Sequence, residues 1–123
     1  MNPQDIVNQK YISLETLRKN NSAVQTPVWF VIYKGTIHVV TRKNTGKIKR
    51  LRNNNKVRIA LCNFKGHVKG KWFSGKATFS SQEDMQIALK LRREKYGLME
   101  RIARFVSRNK GDFIVFSIQL DNQ

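Results

Sequence analysis

A chain of 123 residues has room for one hydrophobic core but not two, so a single domain over 1–123 is expected. Its 40% hydrophobic content with seven Gly and two Pro is that of a folded protein, and no apolar run nears the roughly 20 residues of a membrane span. Charge suits a polyanion, whether nucleic acid, anionic lipid or a multiply charged cofactor, with a merely solvated basic surface as the plain alternative: 24 Lys and Arg face 8 Asp and Glu, a balance of +16, and from Thr16 through Gln82 there are 15 cations and no acid.

The first residues, Met1-Asn2-Pro3-Gln4-Asp5, lack the pattern of a signal peptide, so a soluble cytoplasmic protein is expected, with 1–9 loosely ordered. Tyr11 to Leu17 alternates as a first strand, and Arg18-Lys19-Asn20-Asn21-Ser22 is the turn after it. Ala23 to Ile32 reads as a second strand, with Val24, Thr26, Val28, Phe30 and Ile32 on one face and Gln25, Pro27 and Trp29 on the other. Pro27 has no N–H to give a ladder, which puts this strand at an edge, at a bulge, or in one-sided pairing. Lys34-Gly35 is a tight hairpin turn, and Thr36 to Thr41 returns as the third strand.

The stretch from Thr41 to Asn54 carries six cations and no acid. Within it Ile48 and Leu51 share a helical face, so Gly46 to Asn54 is expected as a short helix docked by those two residues. Lys56 to Cys62 reads as a fourth strand, Trp72 to Phe79 as a fifth with Phe73, Ala77 and Phe79 inward, and Asp112 to Leu120 as a sixth. Between the last two, Ser80 can cap a helix to about Tyr96 with Glu83 reciprocating, Gly97 can stop it, and Leu98, Ile102 and Phe105 indicate a second short helix to about Ser107. Six strands, early hairpins and a late helical insertion describe a small antiparallel barrel of the all-β or α+β class.

Chemistry-bearing clusters are few. His38 and His67 have no Cys or carboxylate at ligand spacing, paired carboxylates are absent over the middle of the chain, and no nucleophile-elbow pattern occurs. Cys62, the single cysteine, sits in an apolar strand pattern as a buried thiol and excludes an intrachain disulfide framework. An enzyme built this way draws its chemistry from a bound cofactor. The basic stretch offers the place: a Thr at a strand end, the turn Asn44-Thr45-Gly46 and Lys47 at a helix start put hydroxyl, backbone N–H and ammonium donors around one phosphate. A solvated basic helix would look much the same by spacing alone.

The segments Ala23-Val24-Gln25-Thr26-Pro27-Val28-Trp29-Phe30-Val31, Thr41 to Asn54, Val57-Arg58-Ile59-Ala60 and Lys95-Tyr96-Gly97-Leu98-Met99 together resemble the pyridoxamine 5′-phosphate oxidase-like superfamily, and within it the small coenzyme F420-dependent oxidoreductases. The resemblance runs from about Tyr11 to Leu120. It implies a mainly β (α+β), six-stranded antiparallel split β-barrel of the FMN-binding type, a homodimer with F420 or FMN sites at the interface, and hydride transfer to or from a small-molecule substrate. Carried over by position, it puts Thr41, Arg42, Thr45, Lys47 and Arg50 around the cofactor phosphate and Gln25, Thr26, Pro27, Val28 and Trp29 along the ring, with Trp72 to Gly75 closing the site from the second subunit. Asn55, Lys34 and Lys71 depart from the residues common in relatives, and the two lysines raise the basicity. Two other readings stand beside it. One is a nucleic-acid module stacking bases on Phe64, Trp72 and Phe73; the other is binding without turnover of a flavin, haem or tetrapyrrole, for which His38 and His67 are the residues of interest.

Overall fold

The computed structural model describes residues 1–121. Its strands are β1 (Ile12–Leu17), β2 (Ala23–Val28), β3 (Val31–Tyr33), β4 (Thr36–Arg42), β5 (Lys56–Leu61), β6 (Phe73–Phe79) and β7 (Phe113–Leu120), and its helices are α1 (Gly46–Asn53), α2 (Gln82–Tyr96) and α3 (Leu98–Val106). All seven strands join in one antiparallel sheet, in the order β2-β1-β5-β6-β7-β4-β3.

The seventh strand is a correction to the six expected. Ala23 to Ile32 is not one strand: it bends at Trp29-Phe30, so that β2 pairs with β1 at one end of the sheet and β3 with β4 at the other. Val28 and Val31 are three residues apart, and consecutive Cα atoms are about 3.8 Å apart, so the two end strands lie within roughly 11 Å of each other. The sheet therefore curls into a barrel left unpaired along one seam, a split β-barrel. Pro27 sits on the seam strand opposite Ser13, where only β1 needs its hydrogen bonds, as its missing N–H requires.

The expected hairpin follows the bend. Lys34 and Gly35 both have positive φ, 51° and 72°, the pairing of a two-residue hairpin turn whose twist matches its strands. Inside the barrel lie Ile12, Leu14, Val28, Phe30, Ile37, Val39, Val57, Ile59, Ala77, Phe116 and Ile118. The α1 residues Ile48 and Leu51 join this core as expected, and each contributes about 1.5–3 kcal/mol by burial. Ile6, on a 3-10 turn at Pro3–Ile6 within the segment expected to be loosely ordered, is buried in the same core. A second apolar layer, Val31, Val40, Ala88 and Val115 with Met85 and Leu89, packs α2 onto the outer face of β3, β4 and β7. The cap of α2 is Ser81 rather than Ser80: its hydroxyl accepts from the Asp84 N–H at 3.2 Å. Phe79 keeps the inward register opposite Phe116, which it meets edge to face, but as the last residue of β6 it is 37% exposed with Arg52 over its ring, so the core takes mainly Ala77 and part of Phe73 from this strand.

Candidate functional site: a basic cleft on the barrel seam

A cleft of about 240 Å³ opens along the seam. Pro27, Val28 and Trp29 line it from the bend, Val39, Val40 and Thr41 from β4, and Lys47 from the first turn of α1; Tyr11, Phe64, Arg92 and Ala103 complete it. The barrel's unpaired seam thus brings together five of the residues expected at the site: Pro27, Val28, Trp29, Thr41 and Lys47.

Trp29 is held by its neighbours. Its ring stacks on Tyr96 with centroids 4.2 Å apart and planes 8° from parallel, and the Arg92 guanidinium lies 5.2 Å from its centroid. The Tyr96 hydroxyl donates to the Lys10 carbonyl at 2.7 Å, accepts from the Phe30 N–H at 3.0 Å, and lies 3.0 Å from the Phe30 carbonyl. Burial pushes the Tyr96 phenol well up, keeping that hydroxyl protonated. Lys95 adds a fourth tie: its ammonium donates to the Phe30 carbonyl at 2.9 Å and sits 3.7 Å from the Phe30 ring centroid.

Burial, and then the charge on Lys10, bring Lys95 from its ordinary 10.5 down to about 8. Between those two pH values the unfolded chain binds more protons than the folded one, so Lys95 makes stability rise with pH across that window; below about pH 8 the cost of its buried charge is fully present. Lys95→Met is expected to remove this rise. In urea titrations at pH 7.5 and pH 10 the wild type should gain stability relative to the variant at the higher pH, and an unchanged gap would contradict the assignment. Tyr96 is common to both proteins and cancels.

At the other end, Lys47 is half-buried among cations. Burial, then Arg50 and Lys110, depress its pKa, and none of these influences is a carboxylate. The helix start beside it is open: Thr45, in extended conformation at the N-cap, donates its hydroxyl to the Arg42 carbonyl at 3.0 Å and caps no N–H. Unpaired helix N–H groups, the positive end of the peptide dipoles and an uncompensated ammonium are the elements of a phosphate site.

The other expected residues lie elsewhere. Arg50 folds back along α1, its Nε donating to the Thr16 hydroxyl at 2.6 Å; burial and nearby Arg18 lower its pKa, and it borders the phosphate end without lining the cleft. Arg42 is turned away. Its guanidinium donates to the Ser107 hydroxyl at 2.9 Å, the Arg104 carbonyl at 2.9 Å and the Gly111 carbonyl at 3.3 Å, and packs on the Phe113 ring, so it ties down the end of α3 instead of facing a ligand. Gln25 is exposed and donates to Glu15 at 3.1 Å, while Thr26 pairs with Leu14 in the ladder. Gly75 lines a separate hollow of about 350 Å³ with Glu15, Lys56 and Arg58, and Trp72 lies under Arg58. Gly75 has a structural reason of its own: a Cβ there would meet the Gln119 carbonyl oxygen of β7 at 2.5 Å.

Neither histidine lines the cleft. His38 is buried beneath Tyr33 with Nδ1 lacking a partner, and burial lowers its pKa; His67 is exposed. Among the described residues there is no group of three His, Cys, Asp or Glu able to hold a metal and no helix long and apolar enough to cross a membrane. Phe64 is 65% exposed, whereas Phe73 packs against the core, so the aromatic residues of the nucleic-acid reading form no common exposed face.

The family model of pyridoxamine 5′-phosphate oxidase matches residues 4–122. The chain belongs to that family. Solved structures agree on the fold. The conserved hypothetical protein Rv2991 from Mycobacterium tuberculosis superposes with a TM-score of 0.74 at 19% identity, over 96% of this chain and 78% of that one. A haem storage protein, HutZ from Vibrio cholerae, gives 0.64 at 16% identity over 98% and 86%. An F420 reductase gives 0.63 at 12% identity over 97% and 93%. A search of curated proteins finds none that matches. That family is of a flavin-binding type.

Proposed function

We propose that this protein is a homodimeric oxidoreductase that holds coenzyme F420, or FMN, in the seam cleft and passes a hydride between it and a small-molecule substrate. The observation that carries this reading is the cleft's polarity: Trp29, Pro27 and Val28 at one end, Thr41, Lys47 and the open start of α1 at the other. Such a cleft matches a molecule with a flat ring and a phosphate. The bound ring would supply the hydride chemistry, and the protein's part is to hold and shield it. Lys47 and the α1 N–H groups grip the phosphate, Trp29 stays fixed by its stack on Tyr96, and Val28, Val39 and Val40 keep water from the ring face. No acid or base of the protein is required for the hydride itself.

F420 is favoured over FMN by charge. F420 carries an oligoglutamate tail beyond its phosphate, and a chain of +16 with 15 cations and no acid from Thr16 through Gln82 attracts such a tail where FMN offers only the phosphate. Haem is less well served: the cleft is lined by no His, Cys or Met, and Tyr11 alone is of an iron-ligating type.

The second copy is supported by what one chain leaves open. The 240 Å³ cleft falls short of the roughly 300 Å³ at which small-molecule sites begin. At its rim Phe64 is exposed, and the outward face of α3, Leu98, Met99, Ile102, Phe105 and Val106, is at least half exposed at every position. A second subunit over this rim would bury that face and deepen the cleft, with Trp72 and Gly75 available from its β5–β6 side.

Fluorescence titration of the purified protein with F420 and with FMN tests the cofactor, and light scattering tests the dimer. Saturation by at least one cofactor in the low-micromolar range or below is expected, and Ile102→Glu should give a monomer with weaker cofactor binding. No binding of either cofactor below the high-micromolar range would overturn the reading.

A further inference from the structure

Arg92 is the charged residue of the cleft with no task assigned so far. It occupies the inward stripe of α2, in step with Met85, Ala88, Leu89 and Tyr96, and is only 8% exposed. Its guanidinium lies between two rings, 5.2 Å from the centroids of Trp29 and of Phe113. One donor is used: Nη1 reaches Glu100 Oε2 at 3.2 Å, and Glu100 is itself 2% exposed. Glu100 is shared, since Arg104 Nη2 approaches its other oxygen at 2.9 Å. Arg42 and Arg104 both act against the Arg92 charge, and Glu100 is the carboxylate that Arg92 has to share with Arg104. Arg92 Nε, fully buried, has no hydrogen-bond partner among the described residues.

A buried guanidinium that shares its carboxylate and keeps an unused donor is costly unless an acceptor arrives from outside. The cleft is the route by which one can. With Lys47 at the phosphate end, what reaches Arg92 beside Trp29 is the ring end of the ligand.

We propose that Arg92 holds the electron-rich edge of the cofactor ring and stabilises the negative charge that this edge acquires on reduction. The inference rests on the cofactor reading above. A hydride brings two electrons and one proton: a C–H bond of the donor substrate breaks, a bond to the central ring position forms, the donor leaves oxidised, and the ring's nitrogen–carbonyl edge takes the negative charge. A fixed guanidinium at that edge interacts more strongly with the reduced than with the oxidised ring. Arg92 thereby tunes the potential, and Glu100, by opposing its charge, limits how far.

The test compares the affinity of oxidised FMN with that of dithionite-reduced FMN, and the same for F420 if that is the tighter ligand, in the wild type, Arg92→Met, Arg92→Lys and Glu100→Gln, with melting curves alongside. Arg92→Met should lower the preference for the reduced form about tenfold, equivalent to a midpoint potential about 30 mV more negative for a two-electron couple, and Arg92→Lys should restore part of it. Glu100→Gln should shift the preference the opposite way, even though it removes the same ion pair. A residue that only pins α2 to α3 would change stability and leave the ratio alone. An unchanged ratio in Arg92→Met, or, should that variant not fold, an unchanged or lowered ratio in Glu100→Gln, overturns the proposal while the cofactor reading stands. If the wild type binds neither cofactor, the reading and this proposal fall together.

Discussion

Lys47→Ala should weaken cofactor binding by about 10- to 100-fold while leaving the protein at least as stable as the wild type. The affinity loss is that of a charge-assisted hydrogen bond to a phosphate, on the order of 1.5–3 kcal/mol. The stability side follows from the environment of Lys47 in the free protein. Its charge is half-buried, with Arg50 and Lys110 rather than a carboxylate among its influences, so removing it relieves a cost. Titration of wild type and variant, with thermal melts of both unliganded proteins, reads the two effects separately. Equal affinities would mean that the anion binds elsewhere. A marked fall in melting temperature would mean that the Lys47 stem is a packing element and the affinity change indirect. Arg50→Ala serves as the comparison. Arg50 donates to Thr16 and lies outside the cleft lining, so a smaller change in affinity is expected there.

Two cations of the basic stretch show what a sequence carries and what it does not. Arg42 and Lys47 look equivalent in a run of cations that starts at a strand end. Arg42 alternates onto the face of β4 toward α3, where Ser107 and the carbonyls of Arg104 and Gly111 absorb its donors. Those partners lie more than 60 residues away in the chain, and no local spacing reports them. The bend at Trp29-Phe30 was hidden for a related reason: both halves of Ala23 to Ile32 have good strand patterns, and only the pairing of β2 and β3 with different neighbours breaks the run. By contrast, Ile48 and Leu51 were legible because a polar helix with two apolar residues three apart has one way to dock.

Arg92 was within reach of the sequence. The stripe Met85, Ala88, Leu89, Arg92, Tyr96 has helical spacing, and a cation in its middle breaks the apolar pattern in the way that buried functional charges do. Glu100, the one acid in a strongly amphipathic nine-residue helix, is the matching signal eight residues on. Only the turn at Gly97, which folds α3 back so that the two meet, had to come from the structure.

Tyr96→Phe should destabilise the protein by about 2–3 kcal/mol, a fall in melting temperature of roughly 8–12 °C for a chain of this size. The variant keeps the ring and hence the stack on Trp29, so the loss isolates the hydroxyl. That hydroxyl is the hydrogen-bond acceptor of the Phe30 N–H at 3.0 Å and donates to the Lys10 carbonyl at 2.7 Å. Without it the Phe30 carbonyl keeps Lys95, and the exposed Lys10 can turn to water, but the Phe30 N–H is stranded beside a side chain that is 1% exposed. The position matters because Trp29-Phe30 directly links the two end strands of the curled sheet, which do not pair with each other among the described residues. One side chain from α2 thus holds the joint on which both barrel closure and the orientation of Trp29 depend. Denaturant titration of Tyr96→Phe against the wild type checks this, and a loss below about 0.5 kcal/mol would show that stacking and the Lys95 tie hold the bend without the hydroxyl.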